Sequence, residues 1–398
     1  MVTLQYLMRI EQIMTTVEVG LNYWPSRFLP PQAGADFAKQ IEASGVVDWF
    51  QTWDQLVSMF PQSIWQPDVT PLARISSDCD SYHNAAMVAL LAAAATRRLN
   101  ITTTLDAVRN GPAELLQQAL TLASATPARV ALQLAAGEVK QCKPFGWRRS
   151  QGLSRMKDIF AIVHKLLNTE GLVSHEGTHW NYSDAWIGNH FPSVPEIWAL
   201  GGGPQLVDIA TTYADGFISM VPSAFATPER WGEQVTNVRA ELERKNRDPD
   251  QFTFGFWPFV LVYRTDEERE RLMASPIIKW MAAVFGRLHH GAWADEGESL
   301  IFEENWHYAL KLLPHQMGKT EVEDIIAAVT PSMIEKSYIS GTPDEVADKL
   351  QEYVDVGAGY ITPSDMAPAV FEMDEQPRAM ETILQMLSRL KGADVLAG

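Results

Sequence analysis

The chain has 398 residues, 46% hydrophobic and 20% charged, a balance that supports a large core and excludes a disordered chain. Its formal net charge is −17 and no Lys/Arg run appears, so the basic face of a duplex nucleic-acid binder is absent. No run of about 18 apolar residues offers a membrane span, and Cys79 and Cys142 lie far apart outside any CxxC pair, which suggests no zinc or redox motif in a cytoplasmic protein.

Residues 1–16 lack an apolar leader core and read as a loosely attached extension. From there strands and helices alternate. Val17 to Trp24 is a strand, Gln32 to Ser44 a helix, and Val46 to Trp53 a second strand rich in β-branched and aromatic residues. Residues 54–83 are irregular, with Pro61, Pro67 and Pro71. Asn84 to Thr96 is an alanine-rich helix and Leu99 to Leu105 strand three. Gly111-Pro112 opens a helix reaching about Ser124, with proline in the first turn, where it is tolerated. Arg129 to Ala135 is an almost continuous apolar run, as expected of a parallel strand buried on both faces.

Gly152 to Leu167 is helical, and a polar stretch fills 169–193. Pro195 to Leu200 is strand five, Pro204 to Tyr213 a helix, Asp215 to Met220 strand six, Pro228 to Lys245 a helix, and Phe252 to Tyr263 strand seven. Residues 275–335 form an insertion with mixed helical signals. Thr342-Pro343-Asp344-Glu345 is a helix start, with Thr342 as cap and Glu345 completing a capping box. Gly359 to Thr362 is strand eight and Pro377 to Leu390 a closing helix. Eight βα units imply parallel strands with right-handed crossovers. They close most simply into one (β/α)8 TIM barrel over 17–398; a doubly wound open sheet is the alternative.

In such a barrel the chemistry lies at the C-terminal strand ends. There the sequence places Asp54-Gln55, Thr104-Leu105-Asp106, Gly137-Glu138, Gly201-Gly202-Gly203, Val221-Pro222-Ser223 and Ser364-Asp365. The glycine run before a helix N-terminus is a natural anion site, and reads equally well as a tight turn. Glu138 follows a small-residue stretch; it can serve as acid, base or cofactor contact, or be a solvated loop glutamate. No HExxH or GxSxG occurs, and neither His289-His290 nor His175 with His179 has a metal-ligand geometry, so no metal is expected. Trp24 and Trp53 end strands and could flank a flat ring or simply fill core.

Six segments together resemble the luciferase-like superfamily, in its branch dependent on the deazaflavin coenzyme F420: WDQLVSMFP (53–61), RLNITTTLDAVRNGPA (98–113), RVALQLAAGE (129–138), PEIWALGGGP (195–204), ADGFISM (214–220) and SGTPDEV (340–346). The last, with residues 313–340 before it, is similar to the phthiodiolone ketoreductase group, which reduces a lipid ketone with reduced F420. The resemblance implies a luciferase-like fold, F420 (alternatively FMN) as cofactor, a small-molecule substrate and, as relatives are often dimers, a homodimer. It also implies site roles. Asp54 falls beside the deazaflavin, and Thr104-Leu105 at a non-proline cis peptide that buttresses the ring. Glu138 falls near the reacting ring, Gly201, Gly202 and Gly203 at the phosphate-side turn, and Val221 among the cofactor contacts. Lys279, Trp53 and Met59 fall at the substrate mouth, and Lys143, Arg148 and Arg149 could meet an anionic cofactor tail.

One departure stands out. Several deazaflavin enzymes carry histidine where this chain has Gln55, which cannot trade a proton near pH 7, and Met59 replaces the tryptophan of sugar-phosphate enzymes. The leading expectation is an F420-dependent reductase passing hydride to a carbonyl, imine or activated alkene of an apolar or bulky substrate. Glu138, with Gln55 beside it, would serve as the catalytic pair, and Glu138 would supply the proton. The rivals are a two-component monooxygenase using reduced FMN and a non-catalytic F420-binding protein.

Overall fold

The computed structural model describes residues 17–188, 190–191 and 193–392, so the extension expected at 1–16 lies outside the described residues. In chain order the strands are β1 (Glu18–Tyr23), β2 (Trp49–Trp53), β3 (Asn100–Asp106), β4 (Val130–Ala135), β5 (Val173–Glu176), β6 (Asn181–Ala185), β7 (Glu196–Leu200), β8 (Gly216–Val221), β9 (Thr253–Val262), β10 (Ile339–Gly341), β11 (Tyr360–Ile361) and β12 (Ser364–Asp365). Eight of them, β1, β2, β3, β4, β7, β8, β9 and β11, pair in parallel and close on themselves through β11. The open-sheet alternative is thereby excluded. Closure is tight at Gly255, opposite Tyr360, where a Cβ would sit 2.5 Å from the Tyr360 carbonyl oxygen.

The eight barrel strands were all legible in the sequence. The antiparallel pair β5–β6 was not. It is mostly exposed, with only Val173 buried, so no inward–outward alternation marks it. The expected capping box forms: Glu345 Oε2 accepts from Thr342 N at 2.8 Å, and Thr342 Oγ1 from Glu345 N at 3.4 Å. The insertion resolves into helices Pro276–Phe285, Gly291–Asp295, Tyr308–Lys311, Lys319–Ala328 and Pro331–Ser337.

Two large cores divide the work. One fills the space between barrel and outer helices; the other lies under the insertion, around the fully buried Trp280 and Trp293. A third cluster plugs the barrel's N-terminal end, where Trp49, Trp198 and Tyr360 meet at 5.0–5.7 Å. Below it, Arg129 stacks over Trp49 and bridges Glu18 and Glu196. With that end sealed, the C-terminal strand ends are left to form a cavity.

Candidate active site

A cavity of 630 Å³ opens at those strand ends, within the range of small-molecule sites. Local hydrogen bonds set its rim. Gln141, in the short helix Val139–Cys142 after β4, accepts from Leu56 N at 2.7 Å and Val57 N at 3.1 Å, and donates to Val57 O at 2.8 Å. The loop after β2 is thus clamped to the turn after β4. Trp280, from the insertion, donates its indole N–H to Met59 O at 2.9 Å and fixes the same loop from above.

Of the residues expected at the site, Trp53, Asp54, Gln55, Met59, Thr104 and Leu105 line this cavity, as do Glu138, Gly201 and Gly202. Gly203 does not: it is the exposed N-cap of the helix Pro204–Tyr213, with φ 90°. Val221 does not either. Strand alternation turns Met220 into the cavity and Val221 into the core behind the barrel. Lys279 also lies away from it. The helix Pro276–Phe285 presents Met281 and Phe285 to the cavity, one turn apart, and Lys279 sits about 200° around the helix from Met281.

The expected cis peptide at Thr104–Leu105 is also corrected. Among the described residues the one cis bond is Val221–Pro222. Thr104, Leu105 and Asp106 pair in unbroken register with Gln133, Leu134 and Ala135, so the ladder runs regularly through the position.

Asp54 and Asp106 share one cation. Arg109 bonds Asp54 Oδ2 at 2.7 Å and makes a short contact with Asp106, and all three side chains are at most 10% exposed. Burial raises the Asp54 carboxyl above the usual range, with Arg109 opposing it. Glu138 is anchored by Lys140, 1% exposed, at 2.6 Å; the same ammonium donates to Val57 O at 3.0 Å. Glu138 also accepts from the hydroxyl of Tyr308, a residue of the insertion that lines the cavity. Gln55 makes no side-chain hydrogen bond among the described residues, so its amide is free to meet a ligand.

Arg149 lines the cavity with no carboxylate partner, and its Nε is buried without a hydrogen bond. Lys143 and Arg148 lie exposed in the same stretch of chain. Thr104 Oγ1 and Trp257 Nε1 are likewise buried, unpartnered and part of the cavity wall. Buried polar groups are seldom left unpaired without reason. At Gly202 a Cβ would meet nothing within 4 Å, so there is room beside the glycine turn.

Two lining residues, His307 and Tyr308, escaped the sequence reading. His307 caps Tyr308–Lys311 by accepting from Ala309 N through Nδ1 at 3.1 Å; burial, with His289 and Arg149 nearby, pushes its imidazole down to about 4. Tyr308 and His307 stand some 170 positions from Glu138, and no spacing links them. Asp365, by contrast, was placed at a strand end by the sequence, without a role, and it lines the cavity. Desolvation pushes its carboxyl up to about 7, opposed by one N–H from Ala367.

Comparison with known proteins agrees with the fold. The family profile described as "Luciferase-like monooxygenase" matches residues 62–359. The phthiodiolone/phenolphthiodiolone dimycocerosates ketoreductase of Mycobacterium tuberculosis (strain H37Rv) is 26% identical over 340 residues, 84% of this chain and 87% of the relative. Two solved structures share the fold. An F420-dependent secondary alcohol dehydrogenase in complex with an F420-acetone adduct has a TM-score of 0.66 at 14% identity, covering 93% of this chain and 99% of that one. A long-chain alkane monooxygenase has a TM-score of 0.64 at 16% identity, covering 95% and 92%.

Proposed function

The chain belongs to the luciferase-like monooxygenase family, and from that premise we propose that it is an F420-dependent reductase acting on a carbonyl of an apolar substrate. The observation that carries the reading is the unpaired Arg149 guanidinium on a cavity whose other unpartnered groups, Thr104 Oγ1 and Trp257 Nε1, are hydrogen-bond donors. A planar ring with an anionic tail satisfies both. The ketoreductase relative, similar across most of its length, supports the same chemistry.

The bound cofactor supplies hydride. The chain's share is placement. Thr104, Trp257 and the free amide of Gln55 can hydrogen-bond the ring edge, and Arg149 can pair with the tail or phosphate, with Lys143 and Arg148 further out. Gly202 leaves space for phosphate at the N-terminus of Pro204–Tyr213, where N–H groups and the helix dipole favour an anion. Glu138, held by Lys140 and Tyr308, fixes the insertion over the barrel mouth. Apolar lining from Phe259, Met281, Phe285 and Leu288 excludes water above the strand ends and suits a greasy substrate.

The test is titration of the purified protein with F420 and separately with FMN, following quenching of cofactor fluorescence. Binding of F420 at micromolar concentration or below is expected, weakened about tenfold, or ~1.4 kcal/mol, in Arg149→Ala. Tight binding of FMN with none of F420 would overturn the reading in favour of an oxygen-dependent monooxygenase.

A further inference from the structure

Among the described residues four carboxyl groups line the cavity: Asp54, Asp106, Glu138 and Asp365. Three are tied to cations, Asp54 and Asp106 through Arg109 and Glu138 through Lys140. Each of these three therefore has an oxygen already committed to a cationic side chain. Asp365 differs. Its Oδ1 accepts one backbone N–H, from Ala367 at 3.0 Å, and no ion pair or other hydrogen bond reaches it among the described residues.

Its surroundings are uncharged on every side. In β9 its register partner is Val260. The turn Ala367–Ala369 offers Ala367. From β1, Asn22 reaches the adjoining Pro363 and Ser364, not Asp365. No titratable or charged side chain acts on Asp365 from any of these elements.

We propose that Asp365 is the acid that protonates the substrate oxygen, the role that Gln55 cannot fill. This rests on the reductase reading above. With the cofactor bound, the carbonyl carbon would be reduced by hydride from the reduced deazaflavin, which would be left oxidised, and the C=O π pair would pass to oxygen. The Asp365 O–H bond breaks and a new O–H bond forms on the substrate. The carboxylate left behind takes a proton from water before the next turnover, so atoms and charge balance. Apolar surroundings keep the acid protonated near neutrality, as its carboxyl at about 7 requires.

Two measurements decide it. In the holoenzyme, with reduced F420 and diheptyl ketone, the wild-type rate of cofactor oxidation should fall as pH rises through about 7. Asp365→Asn should bind F420 as tightly as wild type, turn over about 100-fold or more slowly, and lose that pH dependence; Asp365→Glu should recover part of the rate. Separately, carbon-13 NMR of the cofactor-free protein labelled at aspartate carboxyls should show a resonance titrating near 7 that is missing from Asp365→Glu, whatever the protein binds. An Asp365→Asn enzyme with wild-type rate and pH profile would overturn the role while leaving the reductase reading intact. An Asp365 resonance titrating near 4 would overturn it even if F420 failed to bind, and that failure would itself dispose of the reductase reading.

Discussion

Arg109 neutralises two buried carboxylates at once, Asp54 after β2 and Asp106 at the end of β3. Among the described residues neither acid is ion-paired to another cation, although Arg149 and Arg155 lie near Asp106, so removing the guanidinium breaks both ion pairs in a site at most 10% exposed. Arg109→Ala should therefore lower unfolding stability by about 3–5 kcal/mol, read by urea denaturation. Asp54→Asn should cost less, since Asp106 still holds the arginine. The pairing also explains why Asp54 alone was a poor guide to chemistry. In the sequence it is an aspartate at a strand end; in the fold its charge is already spent on a residue 55 positions away. Gln55, next to it, is the reverse: the departure was visible in the sequence, as was Asp365 at its strand end, whereas His307 and Tyr308, which line the same cavity, were not.

Among elements, the helix Pro343–Asp355 shows how far local rules reach. Thr342 and Glu345 exchange side-chain and backbone hydrogen bonds as their spacing requires, and Val346, Leu350 and Tyr353 bury one face. Thr342→Ala should cost about 1 kcal/mol in thermal or urea unfolding without changing the barrel. The insertion follows no such local rule. Its helices are short, and their partners are distant: Trp280 bonds Met59, and Tyr308 bonds Glu138 and packs, tilted, against Phe285 with ring centroids 4.1 Å apart. The missed hairpin β5–β6 fails for the opposite reason, since an exposed strand pair needs no apolar pattern.

For the whole molecule, buried titratable groups set how stability responds to pH. Burial pushes Asp215 up to about 6, with Ile197 N–H opposing it at 2.8 Å. A carboxyl raised in the folded state favours folding at low pH, and that contribution is lost as pH rises through the folded value. Asp215→Asn should therefore raise the melting temperature more at pH 8 than at pH 4. His290 and His307 act with the other sign. Both are pushed down to about 4, so their contribution is present above the ordinary histidine range and fades as pH falls toward 4. Replacing His290 by Phe should reduce acid sensitivity between about pH 6.5 and 4 in the same melting experiment. At this scale too lies the division between sequence and fold. Eight strand–helix units, their order, and the strand ends carrying Asp54, Thr104, Glu138 and Gly201 were determined by the sequence alone, because hydrophobic period and capping act over a few residues. Only the tertiary structure decided which strand-end residues face inward, that Val221 and Lys279 turn away, and that the insertion brings His307 and Tyr308 to Glu138. Those outcomes depend on barrel closure and on contacts between residues more than a hundred positions apart, which no local spacing records.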